Sequence, residues 1–257
     1  MDLSIIILNY KSSGLCRTAI RGIEKIPHKI SYEIIVVDND SRDGLDQIMK
    51  DEFPHIRFIQ SGKNLGHPAG NNLGISASSG RYVMILNADI AVLDNAFDKV
   101  VEYMDAHPQV GASACRLMNP DGTLQYSCRR FYRMMTPLYS RTFLGKTRRG
   151  DAHMRDFLMI DYDHSKSGPV DWLQGSCLLL RRSVLQKIGA MDERFFLYFG
   201  DVDWCRRVWN SGHEVHYIAN ASIVHYFHRE SRGGMKMLLN PVGRLHIRDW
   251  VAYLRKY

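Results

Sequence analysis

The two stretches that decide the fold are Ser4-Ile-Ile-Ile-Leu8 and Glu33-Ile-Ile-Val-Val37. Each is an apolar run rich in β-branched residues, which is typical of a strand buried on both faces. Between them, Cys16–Ile26 has the apolar spacing of a helix, and Ser12 or Ser13 can cap it. A buried strand, a helix and a second buried strand predict a βαβ unit with parallel strands.

The same alternation continues through the first third of the chain, and the pattern is mixed after it. We predict these further elements: helices Leu45–Glu52 and Ala69–Ser78, strands Ile56–Gln60 and Tyr82–Leu86, helix Leu93–His107, strand Val110–Leu117, an irregular basic stretch over 126–168, strand Asp171–Arg181, helices Ser183–Ile188 and Val202–Ser211, strands Val215–Ile218 and Ser222–Val224, and one or two amphipathic helices in Met235–Tyr257.

Length and composition fit one α/β domain. The 257 residues are 45% hydrophobic and 24% charged, which excludes a disordered or collagen-like chain. No apolar run approaches the roughly 20 residues of a membrane span, and the start lacks the basic region of a secretory signal. The five cysteines never form a C-x-x-C pair, so we interpret them as reduced core thiols of a cytoplasmic protein.

The formal charge of +7 is unevenly distributed. Residues 126–157 hold eight Lys or Arg and two acids, and residues 225–257 hold seven and two. This pattern indicates an anionic partner on one face, namely phosphates, a nucleic acid or an anionic membrane. A merely solvated basic face is an equally good interpretation.

Polar residues follow three predicted strands at their carboxyl ends: Asn9-Tyr10, Asp38-Asn39-Asp40 and Asn87-Ala88-Asp89. In an open parallel sheet, ligands bind beyond these ends, although turn chemistry alone explains any one of the three. Neither a G-x-G-x-x-G motif nor a P-loop is present, which argues against a dinucleotide-binding fold or a P-loop enzyme.

Two segments carry carboxylates suited to chemistry. Asp89 after its buried strand suits Mg²⁺ or Mn²⁺, with substrate phosphates completing the shell. Asp201 and Asp203 follow the aromatic run that begins at Phe195, and a partly dry pocket raises a carboxylate pKa for general-base work. The alternative is an aromatic core with a helix-capping aspartate. His225 is either a metal ligand or structural.

Together these motifs resemble the family 2 glycosyltransferases of the GT-A fold, most of all bacterial rhamnosyltransferases that build cell-surface polysaccharides. The resemblance runs from about residue 3 to about residue 232, and these stretches carry it: Ser4–Tyr10, Glu33–Asn39 with Ser41, Asn64-Leu-Gly66, Gly70–Ile75, Tyr82–Asp89, Val170–Trp172 with Gly175, Arg181-Arg182, and Met191–Phe199 with Asp201 and Asp203.

The resemblance implies a GT-A α/β fold with a central, mostly parallel sheet flanked by helices. It also implies roles: Asp201 as the catalytic base; Asp89 and His225 as ligands of a divalent cation, Mg²⁺ or Mn²⁺; Asn9, Tyr10, Asp38, Asn39, Asn64, Asn71 and Asn87 against the donor nucleotide; and Trp172, Gly175 and Asp203 against the acceptor. The chain departs from the family pattern at Asn87, which replaces the first Asp of D-x-D, at Gly200, where Glu is usual, and at His67-Pro68.

The activity that the resemblance implies is inverting transfer of a sugar, L-rhamnose from dTDP-L-rhamnose, to a lipid-linked or polysaccharide acceptor. We expect one catalytic domain over residues 1–232, with a nucleotide-binding half (1–92) and an acceptor half (93–232), and a helical tail over 233–257. The basic segment 126–157 would lie on anionic lipid at the inner face of the cytoplasmic membrane. The tail is either a second membrane contact or a packing helix, and the protein is a possible homodimer.

Three alternatives stay open from the sequence. A UDP- or GDP-sugar donor keeps the same enzyme class. A nucleotidyltransferase would need a glycine-rich loop with a basic residue after the first strand, and Leu8–Gly14 fits this poorly. Binding of nucleic acid gives no role to Asp38, Asp89 and Asp201, so we expect no nucleic-acid partner.

Overall fold

Within the part of the chain that the structure describes, a central ten-stranded sheet organises the fold. The computed structural model describes residues 1–93, 95–226 and 241–257, apart from the side chain of Arg141. Four neighbouring strands run parallel in the order β3-β2-β1-β4. They are β1 (Leu3–Asn9), β2 (Tyr32–Asp38), β3 (Arg57–Gln60) and β4 (Tyr82–Asn87).

The second half of the sheet mixes directions. Its order continues β11-β6-β12-β5, with β11 antiparallel to both neighbours and β12 parallel to β6. These strands are β5 (Ile90–Val92), β6 (Val110–Met118), β11 (Cys177–Arg181) and β12 (Glu214–His225). Short strands β7 (Leu124–Gln125) and β9 (Gly168–Pro169) add to β6 and β12, and β8 (Cys128–Arg129) pairs with β10 (Trp172–Leu173).

Helices cover both faces of the sheet. They are α1 (Ser13–Lys25), α2 (Leu45–Glu52), α3 (His67–Ala77), α4 (Ala96–Ala106), α5 (Thr136–Arg141), α6 (Arg148–Phe157), α7 (Arg182–Ile188), α8 (Gly200–Asn210) and α9 (Pro241–Lys256), with a 3₁₀ turn at Phe143–Lys146. Alternate residues of β1 face opposite cores, because Ile5 and Ile7 pack under α1 and Ile6 packs under α3. This double burial is why the strand is apolar throughout.

The predicted α/β fold is confirmed. Strands and helices of the first third lie within a few residues of their predicted bounds, and Leu45–Glu52 matches its prediction at both ends. The four parallel strands confirm the parallel sheet, while β11 makes the whole sheet mixed. All five cysteines are buried, as expected for core thiols.

Four predictions were wrong in detail. The two strands predicted over Val215–Ile218 and Ser222–Val224 form one strand, β12, whose pairing with β6 is irregular between Ile218 and Ser222. The helix predicted from Leu93 begins at Ala96, and Ile90–Val92 form an edge strand against the distant Ile223–His225. The strand predicted over Asp171–Arg181 is broken at residues 174–176, where the chain turns past Asp201. The stretch predicted as irregular contains α5, the 3₁₀ turn and α6. The errors at residues 90–96 and 174–176 have a tertiary cause, because distant partners decide these local conformations.

The tail helix α9 packs against α8 and the segment that precedes it. Asp249 and Tyr253 are fully buried, and Lys256 Nζ lies 2.5 Å from Asp203 Oδ1 and 2.7 Å from Asp192 Oδ2. These contacts favour the packing-helix interpretation of the tail. The predicted boundary between residues 232 and 233 lies outside the described residues. Within those residues, we find no helix that has both the length and the apolar character to cross a bilayer.

We predict that Lys256→Met lowers the free energy of unfolding by about 2–3 kcal/mol, because it leaves the buried carboxylate of Asp203 with less compensating charge. Urea unfolding at pH 7 measures this change. The matched control is Lys50→Met on the exposed surface of α2, which we expect to change stability by less than about 0.5 kcal/mol. Equal effects of the two variants would contradict the buried ion pair.

Candidate active site

The polar ends of β2, β1 and β4 meet at one edge of the sheet, as predicted. Asn9 is the register partner of Asp38, and Leu8 is the partner of Asn87. Asn9 Nδ2 donates to Asp38 Oδ1 at 2.9 Å and to Ser41 Oγ at 2.9 Å. Asn9 and Asp38 are both buried, so these side chains support the edge from beneath.

A second amide network joins this edge to the start of α3. Asn39 Nδ2 donates to Asn64 Oδ1 at 3.0 Å, and Asn39 Oδ1 accepts from the Leu65 N–H at 2.9 Å. Asn71 Nδ2 donates to the carbonyl of His67 at 2.9 Å. Asn39 and Asn71 are buried, whereas the side chains of Asn64 and Tyr10 are exposed on the same edge.

A cleft of about 450 Å³ opens beside this edge and brings together six of the predicted site residues: Asn87, Asp89, Trp172, Gly175, Asp201 and His225. They come from β4, the turn after it, β10, the break before β11, α8 and β12. The cleft therefore combines the predicted nucleotide-binding half with the predicted acceptor half. The predicted nucleotide contacts Asn9, Tyr10, Asp38, Asn39, Asn64 and Asn71 lie outside its lining.

Asp89 and His225 form a pair at the cleft. His225 Nε2 lies 3.3 Å from Asp89 Oδ1, and the Tyr226 N–H donates to the carbonyl of Asp89 at 2.8 Å. His225 Nδ1 contacts Gln125 Oε1 at 2.6 Å, which orients the ring so that Nε2 faces Asp89. A carboxylate oxygen and an imidazole nitrogen side by side fit a divalent cation whose remaining ligands are substrate oxygens and water. Within residues 1–93, 95–226 and 241–257, no third His, Cys, Asp or Glu joins this pair.

Asp201 is held in place at the start of α8. Its Oδ1 accepts from the Val202 N–H at 2.9 Å and its Oδ2 from the Gly175 N–H at 3.1 Å. Burial raises the pKa of Asp201 above the ordinary aspartate value, while these two N–H groups and the charge of Arg129 act in the opposite direction. A fixed carboxylate with a raised pKa is suited to accept a proton.

An aromatic wall stands next to Asp201. Trp172 stacks on Tyr132 with ring centres 5.8 Å apart, and Tyr132 contacts Phe199 at 5.0 Å. Trp172 Nε1 donates to the carbonyl of Arg130 at 2.8 Å, so its ring is fixed. Such a wall can carry the apolar face of a sugar ring.

Asp203 lies outside the cleft. Its side chain is fully buried and contacts Arg207, Lys256 and the hydroxyl of Tyr257. It sits two residues beyond Asp201 in α8, and so it points to a different side of the helix. The geometry gives Asp203 a structural contact with α9 in place of the predicted acceptor contact.

Several lining residues were not assigned to the site from the sequence: His67, Arg129, Tyr132, Gln174, Ser176 and His246. Burial lowers the pKa of His67 to about 4, so this ring is neutral at pH 7. His246 belongs to the tail helix and contacts the ring of Tyr198 at 4.5 Å. No short-range motif marks these residues, because separate elements bring them to the cleft.

Two departures from the family pattern are in contact with each other. A Cβ at Gly200 would lie 3.0 Å from Pro68 Cγ and 3.0 Å from Met191 Cε. Pro68 is part of the His67-Pro68 pair, at the first turn of α3. The rigid proline ring therefore leaves little room for a side chain at position 200, where the family usually has Glu.

Comparison with known proteins identifies the family and the fold. The sequence model described as glycosyl transferase family 2 matches residues 4–189. The chain is 27% identical over 212 residues to the N-acetylglucosaminyl-diphospho-decaprenol L-rhamnosyltransferase of Mycobacterium tuberculosis, covering 75% of this chain and 66% of that protein. It is 24% identical over 235 residues to the rhamnosyltransferase WbbL of Escherichia coli K12, covering 88% and 83%.

Among solved structures, the mannosyltransferase PcManGT from Pyrobaculum calidifontis, in complex with GDP-Man and Mn²⁺, superposes with a TM-score of 0.62 at 15% identity, over 98% of this chain and 64% of that chain. The fold is the GT-A fold of glycosyltransferases. The chain belongs to glycosyl transferase family 2. It spans just under two thirds of the mycobacterial relative.

We predict that the residues at positions 68 and 200 are energetically coupled. Gly200→Glu should lower the free energy of unfolding, because the new side chain meets Pro68 and Met191. Part of the loss should return in the Pro68→Ala background, with a coupling energy of about 1 kcal/mol for residues in contact. Urea unfolding of the parent protein, the two single variants and the double variant gives the coupling energy by a double-mutant cycle. Strictly additive effects would contradict the contact.

Proposed function

We propose that this protein is an inverting glycosyltransferase that moves a sugar from a nucleoside diphosphate to an acceptor hydroxyl. The observation that carries the proposal is the cleft that Asp201 shares with Asp89 and His225. One side offers a positioned carboxylate beside an aromatic wall, and the other offers ligands for a cation at the end of β4. Sugar transfer needs both a base at the acceptor and charge compensation at the leaving diphosphate.

Asp201 takes the proton of the acceptor hydroxyl. As this oxygen bonds to the anomeric carbon, the carbon–phosphate-oxygen bond breaks and its electron pair leaves with the nucleoside diphosphate. Among the described residues that line the cleft, the carboxylates are Asp89 and Asp201. Since Asp89 is paired with His225 at the cation site, no second carboxylate is available as a nucleophile on the sugar. A single displacement inverts the anomeric centre.

Asp89 and His225 would hold a divalent cation, Mg²⁺ or Mn²⁺, with Asn87 next to them. When bound, such a cation neutralises the charge that develops on the departing diphosphate. The imidazole nitrogen favours Mn²⁺, since Mg²⁺ prefers an all-oxygen shell. Asn87 in place of an acidic residue lowers the negative charge of the site, so binding of the cation depends more strongly on the diphosphate.

The donor nucleotide would rest along the edge formed by β2, β1 and β4. Tyr10 and Asn64 present exposed side chains there, while Asn9, Asp38, Asn39 and Asn71 hold the loops beneath them. The similarity to two rhamnosyltransferases supports L-rhamnose from dTDP-L-rhamnose as the donor. The alternative is a UDP- or GDP-sugar, as the GDP-Man complex of the fold relative illustrates.

The acceptor would be a lipid-linked glycan, as the name of the mycobacterial relative indicates for that protein. Trp172, Gly175 and Tyr132 lie on the acceptor side of the cleft beside Asp201. Tyr132 also connects this side to a surface formed by residues 133–149, which we name the basic arm. The sugar end of a lipid-linked acceptor would thus reach Asp201 while its lipid stays at the arm.

The basic arm has the surface of a membrane contact. Met134 is 86% exposed and Phe143 is 77% exposed, which is unusual for large apolar side chains. In the same segment Lys146, Arg148 and Arg149 are exposed, whereas Arg130, Arg133 and Arg155 form ion pairs with aspartates. Apolar groups with nearby cations fit the surface of an anionic leaflet. This surface supports our proposal that the protein binds the inner face of the cytoplasmic membrane. A homodimer stays a prediction.

The proposed base and the proposed cation site predict different effects on transfer rate and donor affinity in two variants. Asp201→Asn should reduce sugar transfer by about 10³-fold, because a general base contributes about 10²–10⁴-fold. Its affinity for the donor with Mn²⁺ should stay within about twofold. Asp89→Ala should lose the part of donor affinity that depends on Mn²⁺. Calorimetric titration with dTDP-L-rhamnose, UDP-GlcNAc and GDP-mannose, each with and without Mn²⁺, measures binding and identifies the donor.

The control for these variants is His55→Ala, whose ring is exposed and contacts Glu24 far from the cleft. The pH profile of kcat/KM adds a second readout. Asp201 acts as the unprotonated form, so activity falls as the pH drops through its pKa, which lies above the ordinary value of about 3.9. This acid limb should vanish from the residual activity of Asp201→Asn. Full activity of Asp201→Asn would remove Asp201 from the mechanism.

The basic arm predicts weaker binding to anionic vesicles after two sets of changes. Replacing Lys146, Arg148 and Arg149 together by Gln should reduce partitioning of the protein onto the vesicles about 100-fold at low salt, because each charge contributes about 1 kcal/mol. Met134→Ser with Phe143→Ser should also reduce it. Sedimentation with phosphatidylglycerol vesicles measures the partition coefficient. Arg155→Gln is the matched control, since Arg155 is already paired with Asp161; an unchanged partition in the triple variant would overturn the proposal.

A further inference from the structure

The buried carboxylate of Asp249 in the tail helix binds the backbone of residues 196–198, the segment that leads into α8. Asp249 Oδ2 accepts three hydrogen bonds from successive backbone N–H groups, those of Phe196 at 3.1 Å, Leu197 at 2.9 Å and Tyr198 at 3.0 Å. Its Oδ1 accepts from Arg248 Nε at 3.1 Å and Nη2 at 2.9 Å. Asp249 is fully buried, and these donors compensate its charge.

Three convergent N–H groups form a concave anion-binding turn, which here closes around a side chain of the same chain. Phe199 follows with φ of +66°, in the left-handed region that a non-glycine residue adopts only when its surroundings hold it there. Helix α8 begins at the next residue, and Asp201 is its second residue. The position of Asp201 therefore depends on how residues 196–199 are held.

The same segment is tied to the donor side of the cleft. The carbonyl of Phe196 accepts from the His67 N–H at 2.6 Å. Gly66, at φ of +84°, lets the two backbones approach, since a Cβ there would lie 2.4 Å from the Phe196 oxygen. Residues 196–198 are thus fixed from two sides, by Asp249 of α9 and by the start of α3.

The segment also lines the cleft. Leu197, Tyr198 and Phe199 all contribute to its wall, and His246 of α9 contacts the rings of Tyr198 and Phe199. The tail helix therefore does more than cover the core, because its Asp249 side chain binds the backbone of residues 196–198, which line the cleft and lead into α8.

We propose that Asp249 is a positioning residue for sugar transfer, which holds Phe196–Tyr198 so that Asp201 faces the acceptor. This inference rests on the proposed role of Asp201 as the base. A displacement of about 1 Å at a reacting group can reduce a rate by about 100-fold. We expect Asp249 to affect the rate of transfer more than donor affinity, because its hydrogen bonds hold the segment that leads directly into Asp201, whereas this segment meets the donor side through the backbone of His67 and Gly66.

The test compares two variants of Asp249 with a matched variant of the same helix. Asp249→Ala should lower kcat by about 100-fold, with the donor dissociation constant within about threefold of the parent protein. Asp249→Asn should recover part of kcat, because its amide oxygen can accept from the same N–H groups. Lys256→Met lies on the same face of α9, seven residues on, and removes an anchor of the helix without touching residues 196–198. It should keep kcat within about threefold at a comparable loss of melting temperature.

Hydrogen exchange of the peptide that contains residues 196–198 tests the contact without activity. Relative to Lys256→Met, exchange should accelerate about tenfold or more in Asp249→Ala and by a smaller factor in Asp249→Asn, whose neutral amide oxygen is a weaker acceptor than the carboxylate. This readout also serves if Asp249→Ala fails to fold, and unchanged exchange in Asp249→Asn would overturn the proposal. A kcat for Asp249→Ala within threefold of the parent, or a kcat for Lys256→Met that falls as far, would overturn it too. Failure of the proposed function is a separate result, seen as full activity of Asp201→Asn.

Discussion

The site depends on the in-register pairing of three parallel strands, β2, β1 and β4. Their register places Asn9 opposite Asp38 and Leu8 opposite Asn87, so that the three strands end at the same level of the sheet. Backbone hydrogen bonds along the strands enforce this alignment, and burial of every second side chain on each face prevents a slip by one residue. The proposed donor edge and the start of the proposed cation site follow from it.

The second half of the site depends on close contact between segments far apart in the chain. Gly66 meets Phe196 backbone to backbone, Gly175 donates to Asp201, and Asp249 binds the N–H groups of Phe196–Tyr198. Each contact joins an element of one predicted half, or of the tail, to the loop that bears the proposed base. The cleft is consequently a shared product of the two predicted halves and the tail helix.

Much of the first third of the fold was predictable because its signals are local. Apolar runs such as Ile5–Leu8 pack on both faces of the sheet, and this double burial is recorded directly in residue type. From residue 90 onward the signals weaken. The edge strand Ile90–Val92 forms because β12 is available to pair with it, and the break at residues 174–176 follows the position of Asp201. Neither partner is near in sequence, so no local pattern marks these features.

The amino-acid sequence by itself determined the α/β class, the parallel strands and the polar residues at their ends, because strand burial and turn formation depend on the residue types of short local segments. It also marked Asp89, His225 and Asp201 as candidates, through motifs that resemble one family. Only the tertiary structure decided that Asp203 faces Lys256 away from the cleft, that His67 and His246 line it, and that Asp249 holds the backbone of residues 196–198. The direction of a side chain depends on the packing of whole elements, and that packing is settled by contacts across more than 50 residues of chain.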